Sequence, residues 1–220
     1  MKNKDDILRE TEIFVESRLA SEASGHDWWH IVRVRNMAIR LAREEGADSF
    51  ICQLAALLHD LADEKIAGTE EQGLAIVRQW LINQEAAEEI ISEILDIIQK
   101  MSFKGGTQLD AQLSLEGQVV QDADRLDALG AIGIARTMAY SGNKSRLIHN
   151  PNLSPRQQMT LEEYRSGRDT AINHFYEKLL LLKNYMNTET GQRLAAERHA
   201  FMEAYLKQFY AEWDGLDGLS

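Results

Sequence analysis

The chain has 220 residues, a formal net charge of -11, 44% hydrophobic residues and one cysteine. That length buries enough surface for a domain to stand without a disulfide or a structural zinc, and Cys52 by itself closes no intrachain disulfide. The acidic balance excludes the broad basic surface by which DNA, RNA or anionic lipid is held, and leaves a small anion as the charged ligand to expect, provided a cation reverses the field inside one cleft.

No stretch approaches the roughly 18 apolar residues that span a bilayer. The opening MKNKDDILRE carries no apolar signal core, so a cytoplasmic protein without a membrane partner is expected. The two prolines, Pro151 and Pro155, and long runs mixing Ala, Leu, Ile, Glu, Gln and Arg predict an all-α single domain over residues 1–220.

In chain order, the spacing of apolar residues predicts helices over about 4–20, 27–45, 49–61, 70–82, 85–101, 112–127, 129–140, 156–186 and 189–213. Gly25, Gly46, Gly68 and the pair Gly105 and Gly106 punctuate them. After Tyr140 the segment SGNKSRLIHNPNLSP, rich in turn formers and basic residues, reads as a long loop, either a mobile cover over a site or a plain surface loop.

On the second predicted helix His30 shares the apolar face with Val34, Met37, Ala38 and Leu41, as a satisfied core histidine or as a metal ligand. Trp28 and Trp29 beside it read as wedges into the core, with base stacking as the alternative. The next helix, in FICQLAALLHDLADEK, is apolar nearly all round until His59 and Asp60. Two such buried groups need partners, because an unsatisfied neutral group costs about 1–3 kcal/mol and a carboxylate more. Asp60 orienting His59, or pairing with an arginine, is the structural alternative to a shared site. Cys52 in the same run reads as core filler.

In VVQDADRLDALGAIGIAR, Asp124 and Asp127 lie toward one edge of the apolar stripe, about 60° apart, while Asp122 points about 160° away from Asp124. Asp124 is therefore favoured as the inward carboxylate, and Asp127 as its neighbour or a salt-bridge partner; a solvated acidic face is the alternative. Two imidazoles and two carboxylates from three helices suit one divalent cation of the Mn, Mg, Fe, Co, Ni or Zn type.

The ordered set GHDWWHIVRV, LLHDLADEK and QDADRLDALG resembles the H, HD, D pattern of the HD superfamily of metal phosphohydrolases. HFYEKLLLLKNYMNTETGQRLAAERHAFM resembles the C-terminal half of its small single-domain bacterial members. The resemblance implies an HD-type helical bundle, with an HD core over about 20–140 and C-terminal helices over about 155–215 packed on it. It implies metal ligation by His30, His59, Asp60 and Asp124. It also implies catalytic roles for Asp63 and Glu64, which occupy the acidic pair of the alarmone hydrolases in reversed order; an exposed acidic helix end is the alternative. Dinuclear members add histidines between the HD pair and the last Asp; this sequence has none there, so one metal is expected and an oxygenase is not.

The implied reaction is hydrolysis of a small phosphorylated substrate, a nucleotide, from nucleoside or deoxynucleoside triphosphate to monophosphate and pyrophosphate. A phosphatase for nucleoside monophosphates or other phosphate esters, and a non-catalytic metal- or nucleotide-binding module, are the alternatives. Arg33, Lys65 and Lys104 are candidate substrate contacts, against a reading as ordinary surface cations; His26 is a candidate contact from a first-turn or N-cap position, with a second imidazole ligand beside His30 as its alternative. His174, Lys178 and Arg198 match the C-terminal resemblance, although His174 and Lys178 at i and i+4 also suit the ordering of a helix face.

Overall fold

The computed structural model describes residues 2–19, 27–101, 112–156 and 170–218, apart from the side chains of Glu64 and Lys65. His26 and Lys104 lie outside the described residues. All regular elements among those described are helical, as the composition predicts. No helix among them is long and apolar enough to cross a membrane. The chain falls into two compact units, Met1–Asp124 and Arg125–Ser220.

The first unit comprises α1 (Lys4–Leu19), α2 (Trp28–Glu45), α3 (Ser49–Leu58), a 3-10 helix over His59–Ala62, α4 (Glu64–Ala67), α5 (Glu70–Asn83), α6 (Glu88–Met101) and the start of α7 (Leu115–Asp127). Asp27 opens α2 by accepting the His30 N–H, and Asp48 opens α3 by accepting those of Phe50 and Ile51. Each supplies a partner for donors that the first helical turn leaves unpaired. Eight of the ten residues of α3 are buried, and it packs against α1, α2 and α6. Arg35 fastens α2 to its neighbours by bonding Glu12 at 2.9 Å and Gln53 at 3.2 Å. Trp80 of α5 stacks on Phe14 with centroids 3.9 Å apart and donates its indole N–H to the buried Thr11 hydroxyl at 3.0 Å.

The expected helix over 49–61 ends earlier than the apolar pattern suggests. It tightens into the 3-10 turn at His59 and leaves helical geometry at Asp63, whose ψ is 133°. Against that turn lies α5. A Cβ placed on Gly73 would sit 2.4 Å from the Ala62 Cα and 2.6 Å from the Leu61 carbonyl oxygen, so only a residue without a side chain fits.

The second unit holds the end of α7, then α8 (Gly130–Asn143), α9 (Ala171–Glu177), a 3-10 helix over Leu179–Tyr185 and α10 (Glu189–Trp213). The single helix expected over 156–186 is not what forms across 170–185. Thr170 caps a new helix by accepting the Asn173 N–H, and at Lys178 the chain departs from helical geometry, with φ -140° and ψ -59°, before tightening into the 3-10 segment. The basic segment after α8 is strapped along α9. Ala171 and Ile172 donate backbone N–H groups to the Leu147 and Ile148 carbonyls, each at 3.0 Å, and the Asn173 amide donates to Leu153 at 3.0 Å. Arg156 then grips Glu177 with its backbone N–H and two guanidinium nitrogens, at 2.7 to 2.9 Å. Elsewhere in this unit Asp127 pairs with Arg136 at 2.8 Å, which is the salt-bridge role expected for it.

Burial, followed by the charges of Lys178 and Arg146, pushes the His174 imidazole down to about 4, with Glu177 acting in the opposite sense. The folded value lies below the unfolded one, so between the two the unfolded chain holds a proton that the fold does not; stability then falls as pH drops from about 6.5 towards 4. Lowering the pH from 7 to 5 should cost the wild type about 2 kcal/mol more than His174→Gln, measured by urea unfolding at both values. In the first unit, Gly73→Ala should lower stability by about 1–3 kcal/mol, because neither backbone has room to retreat; an unchanged thermal midpoint would show that the close approach is soft.

Candidate metal centre

His30 enters through α2, one turn after the capping Asp27, on the face that also buries Ile31, Val34, Ala38 and Leu41. His59 and Asp60 enter through the 3-10 turn at the end of α3. Asp124 enters through α7. Three elements distant in sequence thus deliver donors to one place, within residues 1–124.

The donor atoms stand close together. His30 Nε2 lies 3.5 Å from Asp60 Oδ2 and 3.4 Å from Asp124 Oδ1, while His59 Nε2 lies 3.2 Å from Asp60 Oδ1 and 3.9 Å from Asp124 Oδ1. His30, His59 and Asp60 each offer a ligand atom within 4.8 Å of the others. For metal–ligand bonds of about 2.1 Å, octahedral neighbours stand about 3.0 Å apart and opposite donors about 4.2 Å apart, so the spacing suits a cation at the centre.

The protonation pattern fits as well. His59 Nδ1–H donates to the Ala56 carbonyl oxygen at 2.8 Å, which leaves a lone pair on Nε2. That Nε2 is buried without a hydrogen bond although it faces a carboxylate oxygen. Two lone pairs facing each other in a dry site repel, and a cation between them turns the repulsion into coordination. At Asp124, burial works to raise the carboxyl's pKa, but the hydrogen bond with His30 and the charge that the His59 and His30 rings carry when protonated outweigh it and hold the group at about 2. It is therefore ionised at neutral pH, as a ligand must be.

Burial grades across the cluster. The side chains of His30, His59 and Asp60 are 1%, 6% and 7% exposed, whereas that of Asp124 is 38% exposed. The helical projection favoured Asp124 over Asp122 as the more inward carboxylate. Asp124 does face both imidazoles, yet Asp122 is the more deeply buried, at 0% exposure. The reason is that α7 is covered on more than one side, with Val119, Val120, Ala123 and Leu126 all fully buried, so burial alone does not select a ligand on it.

Arg33 is half-buried one turn beyond His30. Asp63 is half-buried directly after the HD turn, and its carbonyl oxygen anchors α4 by accepting the N–H groups of Ile66 and Ala67. Glu64 and Lys65 begin α4 with side chains outside the described residues. The expectation that Trp29 wedges α2 into the core is overturned. It is 66% exposed, about 100° round the helix from His30, while Trp28 is half-buried. Cys52 is core filler as expected, buried with its thiol pushed up to about 12 by burial and by the charge of Glu116. Sequence reading missed Gly73; its signal was a lone glycine inside an otherwise good helix former, EEQGLAIV.

Comparison with known proteins places this constellation. The HD domain family model matches residues 28–129, which include all four donors. The uncharacterized protein YpgQ of Bacillus subtilis (strain 168) is 39% identical over 205 residues, covering 93% of this chain and 92% of that protein. Among solved structures, an HD-superfamily hydrolase of Bacillus thuringiensis is similar at 45% identity with a TM-score of 0.77, covering 96% of this chain and 99% of that one. Bacillus subtilis YpgQ in complex with ADP is similar at 36% identity with a TM-score of 0.78, covering 98% and 99%. With its H, HD and D side chains gathered as described and a family match that spans them, this chain belongs to the HD superfamily of hydrolases.

Proposed function

We propose that the chain is a metal-dependent phosphohydrolase acting on a nucleotide, cleaving a nucleoside or deoxynucleoside triphosphate to the monophosphate and pyrophosphate. In this reading it is a single cytoplasmic HD-type domain over residues 1–220, and His30, His59, Asp60 and Asp124 hold one divalent cation. The observation that carries the reading is the buried His59 Nε2, without a hydrogen bond and turned toward two carboxylates. The nucleotide is supported by the similar YpgQ structure, which is a complex with ADP.

Bound there, a divalent cation supplies charge stabilisation to a phosphoryl group and makes water more acidic. The remaining chemistry belongs to the chain. Asp63 or Glu64 takes a proton from the attacking water and passes it on, as a carboxylate beside the reacting centre does in general acid–base catalysis. Arg33, His26, Lys65 and Lys104 offset phosphate charge, Arg33 standing half-buried on α2 one turn beyond His30. The sequence has no histidine between Asp60 and Asp124, which supports one metal in preference to two.

His59→Ala should remove bound metal, read by elemental analysis of the purified protein, and lower kcat/KM on a nucleoside triphosphate panel with Mn or Mg by about 100-fold or more. Metal-supported nucleotide binding with no release of phosphate or pyrophosphate would replace the enzyme reading by a binding module. Inorganic phosphate as the released product would instead identify a phosphatase. Asp63→Asn and Glu64→Gln should each keep the metal, and the one that relays the proton should lower kcat by about 100-fold. If neither does, the acidic pair is not catalytic.

A further inference from the structure

Two of the candidate donors, His59 and Asp60, sit on a single 3-10 turn, and α5 packs against that turn. Between them stands Gly73, buried on the face of α5 that also buries Val77 and Leu81. Gly73 lies inside a regular helix and is not one of the glycines with positive φ, so the backbone conformation there does not call for glycine. Alanine would form the better helix. What calls for glycine is space. A Cβ at that position would stand 2.4 Å from the Ala62 Cα, 2.6 Å from the Leu61 carbonyl oxygen and 3.1 Å from the Ala67 Cβ. Carbon atoms settle at about 3.5–4.0 Å, so a single methyl group has to drive the facing backbone away by about 1 Å.

We propose that Gly73 is a positioning residue for the cation: by letting α5 lie directly on the HD turn, it fixes the level at which His59 and Asp60 present their donor atoms. The inference rests on the metal-binding reading above. Leu61 follows Asp60 directly, and the Asp60 carbonyl accepts the Asp63 N–H at 3.0 Å to close the turn. On the other side the Ala56 carbonyl holds the His59 ring at 2.8 Å. The turn is thus gripped between the end of α3 and the flank of α5. Ligand constellations tolerate displacements of about 0.5 Å, so a backbone retreat of twice that size separates donors that now stand 3.2 to 3.9 Å apart.

The same contact reaches α4. Ala67, which the added Cβ would also crowd, donates its N–H to the Asp63 carbonyl at 2.9 Å. A push from position 73 therefore bears on the segment that carries Asp63 as well as on the donor turn.

The test titrates the full chain, freed of metal by chelator and dialysis, with Co2+, read by visible absorption, whose band shape reports coordination geometry. Wild type should bind Co2+ and His59→Ala should not. Gly73→Ala should bind it about tenfold or more weakly, with an altered band. Leu81→Ala, on the same buried face but about 12 Å further along α5, should lower the thermal midpoint and keep wild-type affinity and spectrum. Wild-type affinity and spectrum in Gly73→Ala, or an equal loss in Leu81→Ala, overturns the positioning role and leaves the metal reading standing. No Co2+ uptake by wild type, or unchanged uptake by His59→Ala, sinks the metal reading and this inference with it. Should Gly73→Ala fail to fold, hydrogen exchange of the wild type decides. The Asp63 and Gly73 amides, bonded to the Asp60 and Thr69 carbonyls at 3.0 and 3.1 Å, should open together with one denaturant dependence. An Asp63 amide still protected after α5 has opened overturns the role.

Discussion

The bond from His59 Nδ1 to the Ala56 carbonyl does two things at once. It satisfies a carbonyl near the end of α3, where helical geometry runs out, and it commits the imidazole to one tautomer. The opposite nitrogen then has no proton to offer the carboxylates in front of it. A cation held by the cluster would depend on that choice, made by backbone rather than by any other side chain. Rotate the ring or shift the turn, and the same residues become an ordinary hydrogen-bonded group.

The surrounding elements serve that geometry without contributing donors. The helix α3 is buried at eight of ten positions, so its end is held by packing on three neighbours. On the far side of the HD turn, α5 presses in where Gly73 lets two backbones approach. Asp27 sets where α2 begins and thereby the level at which His30 enters. The polar centre is expensive to bury, and these contacts, mostly apolar, hold it in place.

Much of this was legible from residue order, for a reason that can be stated. His30, His59, Asp60 and Asp124 are polar groups interrupting apolar stripes, and a pattern broken at a functional point is what periodicity detects best. What escaped detection shares a cause too. A projection treats a helix as having one buried side, which fails for α7, where Asp122 is fully covered, and for Trp29, which stands off the core face of α2. Helical period does not distinguish α from 3-10 geometry, so the tightening at His59 and the break at Lys178 went unseen. Tertiary closeness, as at Gly73, leaves only the faint trace of a glycine where alanine would form a better helix.

The uneven exposure of the four donors has a kinetic meaning. Three are sealed, and Asp124 keeps about a third of its side chain in water. A particle held among them would have one soft wall, the Asp124 carboxylate, with the imidazoles fixed where the backbone puts them. Were an ion held there, a change at that wall would alter how fast the occupant exchanges before it altered which occupant fits.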